Sequence, residues 1–287
     1  MGACLSDRCP PHINPETKMY LDKYNSNPEA RDPVPAVKWQ TIEDLGEITF
    51  IGEAAHAVGN AKIHLDYHNV KYAMSATLPQ VAGTPYPLVP VLRADGRQLN
   101  GNYIINKHLI PLLYGPGEID LEWESRISYQ LNPSLYMAAV ANGELWQCLQ
   151  ATVNLPKALY HVLPLSQYVK SCYGPGGALH KAVGDRYRCY EDLHDFGREF
   201  RQELGFDPFF HGERPGSTDL SMYGAVALFC YTNCAKIKRR LIADSQLQEW
   251  WDRMSELVPA AIFLTSESIY RGFGRRSPAP DWRPWLQ

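Results

Sequence analysis

The chain has 287 residues and a formal net charge of −3, and its residues are 45% hydrophobic and 21% charged. This composition excludes disordered, collagen-like and coiled-coil proteins, and the length predicts two domains or one large one. The slightly negative charge argues against a nucleic-acid partner, and no apolar run approaches the ~20 residues of a membrane-spanning helix.

The first six residues, Met1–Ser6, fit the pattern M-G-x-x-x-[ST] for N-myristoylation of Gly2. Cys4 stands where a palmitoyl chain could attach, and no polybasic cluster follows as a second membrane signal. We therefore predict lipidation at Gly2 and Cys4 and a membrane partner reached through these acyl groups. The expected location is the cytoplasmic face of the plasma membrane or a related membrane. The alternative is that this short motif matches by chance.

Residues 1–40 form a predicted extension that links the anchor to the folded body. Six prolines interrupt a polar stretch with few β-branched residues, and they are Pro10, Pro11, Pro15, Pro28, Pro33 and Pro35. Proline removes backbone donors and favours extended chain, so the stretch is typical of a semi-rigid spacer. A disordered terminus is the alternative interpretation.

Residues 45–115 are predicted to form a small α/β unit. Its pattern is β-α-β, then a β-hairpin, then a helix. The segments in chain order are a strand at 47–52, a helix at 60–67, a strand at 70–74, a strand through Val89-Pro90 that reaches Leu92, a turn at Asp95-Gly96, a returning strand at 98–100 and a helix at 104–113. A proline within a strand indicates an edge or a special bend.

Residues 125–275 are predicted to form a helical domain, followed by a tail at 276–287. The segment Phe209–Leu220 contains a helix start, with Gly216 or Ser217 as the N-cap and Asp219 placing negative charge in the first turn. An apolar stripe is then predicted along this helix, formed by Leu220, Tyr223, Val226 and Ala227.

These motifs resemble the glutathione transferase superfamily. Val89-Pro90 before a hairpin is similar to the family's first domain, and Phe209–Leu220 is similar to its F-x-x-G…S/T-x-x-D-L signature. Gln248–Met254 resembles its W-x-x-R-M segment. The resemblance covers about residues 45 to 270 and is nearest to the type-2 membrane-associated prostaglandin E synthase branch, through residues 65–72 and 98–100. It implies a thioredoxin-like α/β domain followed by an all-α domain, and a homodimer as one assembly.

The chain departs from this branch at its redox site. The branch carries C-P-x-C at the start of the first helix, and the matching residues here are Ala55-His56-Ala57-Val58. All seven cysteines lie elsewhere, with none between Cys9 and Cys148, so thiol–disulfide exchange at this site is excluded. The odd number and irregular spacing of the cysteines favour a reducing compartment, and no metal site is predicted. His56 is the one titratable donor placed at this helix start, either contacting a ligand or merely packing there.

The resemblance also implies positions for glutathione. These are the backbone of Val89, the following Pro90, and the pair Gly101-Asn102, where the family has an acidic residue and a serine. Asn102 can still donate to a carboxylate, but the acid that would hold the ammonium group is missing. Loss of one charge-assisted contact lowers affinity roughly ten- to a hundredfold. We therefore expect weak glutathione binding or none, and no other cofactor.

Three further features have simpler interpretations. His64 and His68 share metal-ligand spacing, but with no third ligand nearby they are expected to lie on a helix surface. Lys236–Arg240 is a basic run expected to face solvent at a helix end, with contact to anionic lipid as the alternative. Cys230 and Cys234 are expected to be buried small apolar residues.

The resulting functional prediction is a pseudoenzyme. The chain would be a membrane-tethered binding or scaffold protein, with a small ligand or a protein partner, that retained the transferase fold and lost the thiol. The alternative is a glutathione-dependent transferase or a prostaglandin E synthase-like isomerase that uses the thiol of bound glutathione, with His56 or backbone amides polarising it.

Overall fold

The computed structural model describes residues 39–51, 56–75, 90–141, 189–210, 212–231 and 234–258. These residues form a four-stranded sheet with its helices, followed by a body of further helices. The predicted acylation motif, residues 1–38 of the predicted extension and the C-terminal tail lie outside the described residues. Within the described ranges, no helix is both long enough and apolar enough to cross a bilayer.

The sheet combines parallel and antiparallel pairs. β1 (Thr49–Ile51) runs parallel to β2 (Ala73–Ser75) and antiparallel to β3 (Val91–Ala94), and β3 pairs with the antiparallel β4 (Arg97–Asn100). The strand order is therefore β2-β1-β3-β4. A parallel pair requires a crossover connection, and this chain supplies it with helix α1 (His56–Tyr67).

The hairpin between β3 and β4 turns at the predicted Asp-Gly pair. Asp95 and Gly96 have φ values of 49° and 66°. Positive φ at both central residues is the geometry of a type I′ turn, whose twist matches that of the flanking strands. The turn sets the register that places Leu92 opposite Leu99, and both side chains are buried.

Helix α2 (Asn102–Tyr114) follows β4 and packs with α1 against the sheet. The core of this unit is formed by large apolar side chains from the strands and both helices, among them Phe50, Leu65, Leu92, Leu99, Ile105 and Leu109. The predicted order of a β-α-β unit, a hairpin and a helix is therefore confirmed.

Several element boundaries differ from the prediction by a few residues, and the starts of α1 and β2 show why. Helix α1 begins at His56 rather than at Asn60, because its first turn carries no apolar periodicity that could reveal it. β2 begins at Ala73 rather than at Val70. Asn69 adopts a φ of 58°, and the Val70 amide donates to the Leu65 carbonyl at 2.8 Å, so this stretch caps α1 instead of starting the strand.

The helical body begins with one long helix interrupted by a π-helical turn. α3 (Leu121–Arg126) continues through Ile127–Leu131 into α4 (Asn132–Ala141). The Asp120 carboxylate caps α3, because it accepts hydrogen bonds from the amides of Glu122 and Trp123, both at 3.0 Å. Further α-helices among the described residues are α5 (Cys189–Leu204), α6 (Ser217–Tyr231), α7 (Ala235–Lys238) and α8 (Gln248–Leu257). α7 continues into a second π-helical turn at Arg239–Ala243.

Helix α6 is the centre of this body. Every residue from Ser217 to Cys230 is buried. The predicted apolar stripe of Leu220, Tyr223, Val226 and Ala227 is therefore buried, and so are the other faces of the helix. The reason is that α6 packs against α1, α3, α4, α7 and α8 at once. The predicted burial of Cys230 and Cys234 is confirmed, and burial raises the pKa of the Cys230 thiol.

Asp219 fixes the start of α6. The Leu220 amide donates to the Gly216 carbonyl at 3.2 Å, which identifies Gly216 as the N-cap. The Asp219 carboxylate accepts from the amides of Gly216 and Phe210 at 3.0 Å and from Trp250 Nε1 at 2.7 Å. One buried carboxylate therefore joins the preceding loop, the start of α6 and helix α8.

The α/β unit meets the helical body where α1 crosses α6. A Cβ atom added at Gly224 of α6 would lie 2.6 Å from the Gly59 carbonyl oxygen of α1. Ile63 of α1 belongs to the core of the helical body, whereas Leu65 of the same helix belongs to the core of the α/β unit. A thioredoxin-like α/β unit followed by an all-helical body confirms the predicted fold class.

Candidate functional site

Pro90 and Gly101, two of the predicted ligand positions, lie next to each other at the N-terminal end of α2. Pro90 is buried immediately before β3, and its carbonyl accepts a hydrogen bond from the Gly101 amide at 2.8 Å. Gly101 has a φ of 83°, in the left-handed region that glycine adopts without strain. Val89 lies outside the described residues.

Asn102 is the first residue of α2, and its side chain is only 8% exposed. Its Oδ1 atom is buried without a hydrogen-bond partner. The Ile105 amide donates to the Gly101 carbonyl at 3.0 Å, and the amides of the first turn of a helix have no acceptor within the helix itself. The helix has 13 residues, and its dipole adds partial positive charge at this end. The position can therefore accept a polar or anionic ligand group.

The other predicted site residues are placed only in part. His56 begins α1, but its side chain lies outside the described residues. Gly2 and Cys4 also lie outside them. Their roles in ligand contact and lipidation stay predictions.

A second polar group is buried where the α/β unit meets the helical body. We call it the interface cluster, and its members are Asn60 and His64 of α1, Asn106 and Tyr114 of α2, Glu124 of α3 and Ser221 of α6. Asn106 Nδ2 donates to Asn60 Oδ1 and to Glu124 Oε2, both at 2.8 Å. Asn106 follows Asn102 by one turn of α2, so the cluster begins directly below the predicted ligand position.

The rest of the interface cluster forms a continuous series of hydrogen bonds. Ser221 Oγ donates to Glu124 Oε1 and lies 2.9 Å from His64 Nε2. On the other side of the imidazole, His64 Nδ1 lies 3.0 Å from Tyr114 Oη. The series therefore connects four helices, α1, α2, α3 and α6, where the α/β unit meets the helical body. Of its four residues, Tyr114 alone is partly exposed.

Burial dominates the electrostatics of the interface cluster. It raises the pKa of Glu124 to about 7, although the hydrogen bonds from Ser221 and Asn106 oppose this shift. It lowers the pKa of His64 to about 3. At neutral pH the imidazole is therefore uncharged, and the Glu124 carboxyl is near the middle of its titration.

The presence of serine, histidine and glutamate does not make this cluster a hydrolytic triad. In a triad the imidazole takes the serine proton, and the carboxylate holds the far side of the imidazole. Here the carboxylate contacts Ser221 itself, and the far side of His64 contacts Tyr114. Ser221 is also fully buried, so no substrate reaches its hydroxyl.

The expectation that His64 and His68 lie on a helix surface is wrong. His64 is fully buried, and His68 is half-buried with its ring edge-on to Tyr114, 4.4 Å between ring centroids. The physical reason is that α2 and α6 both pack on α1 and cover its polar face as well as its apolar one. Among the described residues, no group of three or more His, Cys, Asp or Glu side chains could hold a metal ion.

Sequence reasoning missed most of the interface cluster. One signal was available: Asn60 with His64, and Asn102 with Asn106, repeat at four-residue spacing. Polar side chains with this spacing share one helix face. Glu124 and Ser221 gave no comparable signal, because their contact joins residues that are far apart in the sequence.

The basic run at Lys236–Arg240 faces solvent in part. Lys236 and Arg239 are exposed, as expected, whereas Arg240 is half-buried and pairs with Asp244 at 3.3 Å. Contact between this run and anionic lipid stays the alternative interpretation.

Comparison with known proteins gives structural neighbours only. No protein-family model matches the chain, and no curated protein matches it. Rice GST1 in complex with glutathione is similar at 16% identity and a TM-score of 0.44, over 79% of this chain and 95% of the rice chain. A glutathione S-transferase III in apo form gives 15% identity and a TM-score of 0.49, over 81% of this chain and 100% of the other. Poplar glutathione transferase F1 gives 12% identity and a TM-score of 0.45, over 80% of this chain and 99% of the poplar chain.

Proposed function

We propose that this chain is a membrane-tethered binding protein, built on a glutathione transferase-like fold, that lacks the thiol of the fold's redox members. The observation that carries the proposal is the absence of cysteine between Cys9 and Cys148, which includes the whole α/β unit. Thiol exchange requires a thiolate, and no side chain of this unit supplies one.

The described thiols of the helical body do not replace it. Cys230 and Cys234 are buried in the helical core, and burial raises the pKa of the Cys230 thiol. A thiol in such surroundings stays protonated and is a poor nucleophile.

Asn102 supports the binding half of the proposal. Its unpartnered, buried Oδ1 leaves hydrogen-bonding capacity that a ligand can satisfy, and the dipole of α2 adds partial positive charge at the same place. A peptide-like ligand with a carboxylate, of which glutathione is the first to test, fits this combination of donors and acceptor. A protein partner presenting a similar group is the other class of ligand.

Calorimetry with glutathione and a standard conjugation assay test this proposal. We expect weak, saturable binding that Asn102→Ala reduces and Lys107→Ala, on the same helix, leaves unchanged. We expect no turnover. Conjugation activity that His56→Ala abolishes would contradict the proposal and favour the alternative, a glutathione-dependent transferase or isomerase.

A further inference from the structure

The interface cluster contains an ordered path from the edge of the domain contact to its buried centre. The path runs from Tyr114 through His64 and Ser221 to Glu124, and each side chain lies within hydrogen-bonding distance of the next. Tyr114 is partly exposed, whereas the other three side chains are fully buried. A proton that reaches Glu124 from solvent along this path must therefore pass the other three groups.

The ionised form of Glu124 fixes the direction of every bond in the series. The carboxylate accepts from the Ser221 hydroxyl, so Ser221 Oγ must accept from His64, whose proton then lies on Nε2. His64 Nδ1 then carries no proton, so it accepts a hydrogen bond that the Tyr114 hydroxyl donates.

The protonated form of Glu124 reverses the series. Its Oε1–H donates to Ser221 Oγ, while Asn106 Nδ2 continues to donate to Oε2. Ser221 must then donate to His64 Nε2, which moves the imidazole proton to Nδ1, where it donates to Tyr114 Oη.

We propose that these four side chains form a proton relay that protonates and deprotonates Glu124 and thereby makes the contact between the α/β unit and the helical body sensitive to pH. Protonation breaks the Tyr114 O–H bond and forms His64 Nδ1–H. It breaks His64 Nε2–H and forms a new Ser221 O–H, and the former Ser221 proton forms Glu124 Oε1–H. One proton from solvent restores the Tyr114 hydroxyl, so the net change is one proton gained.

Burial and the charges around the relay both oppose ionisation of Glu124. Asp120, the N-cap of α3, acts on Glu124 with the same sign of charge, and burial opposes ionisation further. Burial raises the pKa of Tyr114 most, and Tyr67 of α1, Glu124 and Asp219 of α6 raise it further. Burial and the neighbouring His68 lower the pKa of His64, so the imidazole and the phenol are both neutral. Among the described residues, no lysine or arginine forms an ion pair with Glu124. An ionised Glu124 is therefore an uncompensated charge between the two units, which weakens their contact.

The tautomer of His64 reports whether Glu124 is protonated, because the two change together in the relay. ¹⁵N NMR of the full chain, labelled at histidine, measures this tautomer. We expect the His64 proton on Nδ1 at about pH 5 and on Nε2 at about pH 8, without formation of imidazolium between them. In Glu124→Gln, the Gln oxygen faces Asn106 and its amide donates to Ser221, so we expect Nδ1–H at both pH values. Glu122→Gln, an exposed neighbour on the same helix, should behave as the wild type.

Infrared difference spectra of the wild-type protein provide a second measurement that requires no variant. The C=O stretch of a protonated carboxyl should disappear with the same midpoint as the tautomer change. A single His64 tautomer across this pH range would overturn the relay. A tautomer change that persists in Glu124→Gln, or a carboxyl titration without a tautomer change, would overturn it equally.

Discussion

His64 lies between Ser221 and Tyr114 in the buried contact of the two units, where burial lowers the pKa of the imidazole to about 3. In the unfolded chain the same group has its ordinary pKa of about 6.5. The unfolded state therefore binds more protons than the folded state between these values, and the free energy of unfolding falls as the pH falls through this range. Glu124 acts with the opposite sign, because its raised pKa lowers stability as the pH rises toward about 7.

Replacing His64 by glutamine should remove the acidic loss of stability. Between about pH 7 and about pH 5, the stability of His64→Gln relative to the wild type should rise by about 2 kcal/mol, since the linkage is about 1.4 kcal/mol per pH unit. Urea unfolding at several pH values measures this difference. His108→Gln, at an exposed position on α2, should show no such trend. Parallel pH profiles for His64→Gln and the wild type would contradict the buried neutral imidazole.

At the scale of elements, the contact of α1 with α6 depends on two glycines. Gly59 and Gly224 allow the two backbones to approach until a Cβ at Gly224 would meet the Gly59 carbonyl oxygen at 2.6 Å. A backbone oxygen cannot move aside as a flexible side chain can. The same close approach brings Asn60 and His64 of α1 within reach of the side chains of α2, α3 and α6 that complete the interface cluster.

Gly224→Ala should therefore destabilise the protein, although alanine favours a helix interior by about 1 kcal/mol over glycine. Overpacking a close contact costs about 1–3 kcal/mol or more, and here the contact is with backbone, so the net sign is unfavourable. The measurement is the urea midpoint, together with the NMR signals of His64, which should shift because the interface opens.

Gly197→Ala is the matched comparison within α5. A Cβ there would lie 2.6 Å from the Leu241 carbonyl oxygen, inside the helical body and away from α1. It should lower stability while leaving the His64 signals unchanged. A higher urea midpoint for Gly224→Ala than for the wild type would show that the helices can separate without cost.

At the scale of the whole molecule, the folded body offers little electrostatic attraction to a membrane. The chain carries a net charge of −3, and anionic lipid repels a protein of this charge sign unless a local basic surface acts. Membrane residence in our proposal therefore depends on the acyl chains at Gly2 and Cys4. One myristoyl chain gives only marginal binding, with K on the order of 10⁴ M⁻¹, and the second chain makes binding stable.

Fractionation of eukaryotic cells that express the full chain tests this dependence. Gly2→Ala should move the protein almost entirely to the soluble fraction, because palmitoylation normally follows initial membrane contact. Cys4→Ser should release most of it, whereas Cys9→Ser, a nearby cysteine outside the motif, should release little. Retention of Gly2→Ala on membranes would rule out the acyl anchor.

The sequence alone determined the features that local chemistry encodes. The Asp-Gly pair specifies a type I′ turn through positive φ, and the apolar run that reaches Leu92 indicates the strand before it. Gly216 and Asp219 mark the start of α6, and the absence of cysteine between Cys9 and Cys148 is a fact of composition. Each of these signals lies within a few residues of the feature that it predicts.

Only the tertiary structure decided which polar residues are buried together. Four-residue spacing gave His64 and His68 a shared helix face, but whether that face meets solvent depends on α2 and α6. The bond from Ser221 to Glu124 joins helices from distant parts of the sequence, and the burial of all sides of α6 depends on five neighbouring helices. Burial is a property of everything that packs around a residue, and for that reason the pKa values of His64 and Glu124 follow from the folded arrangement and not from their own segments.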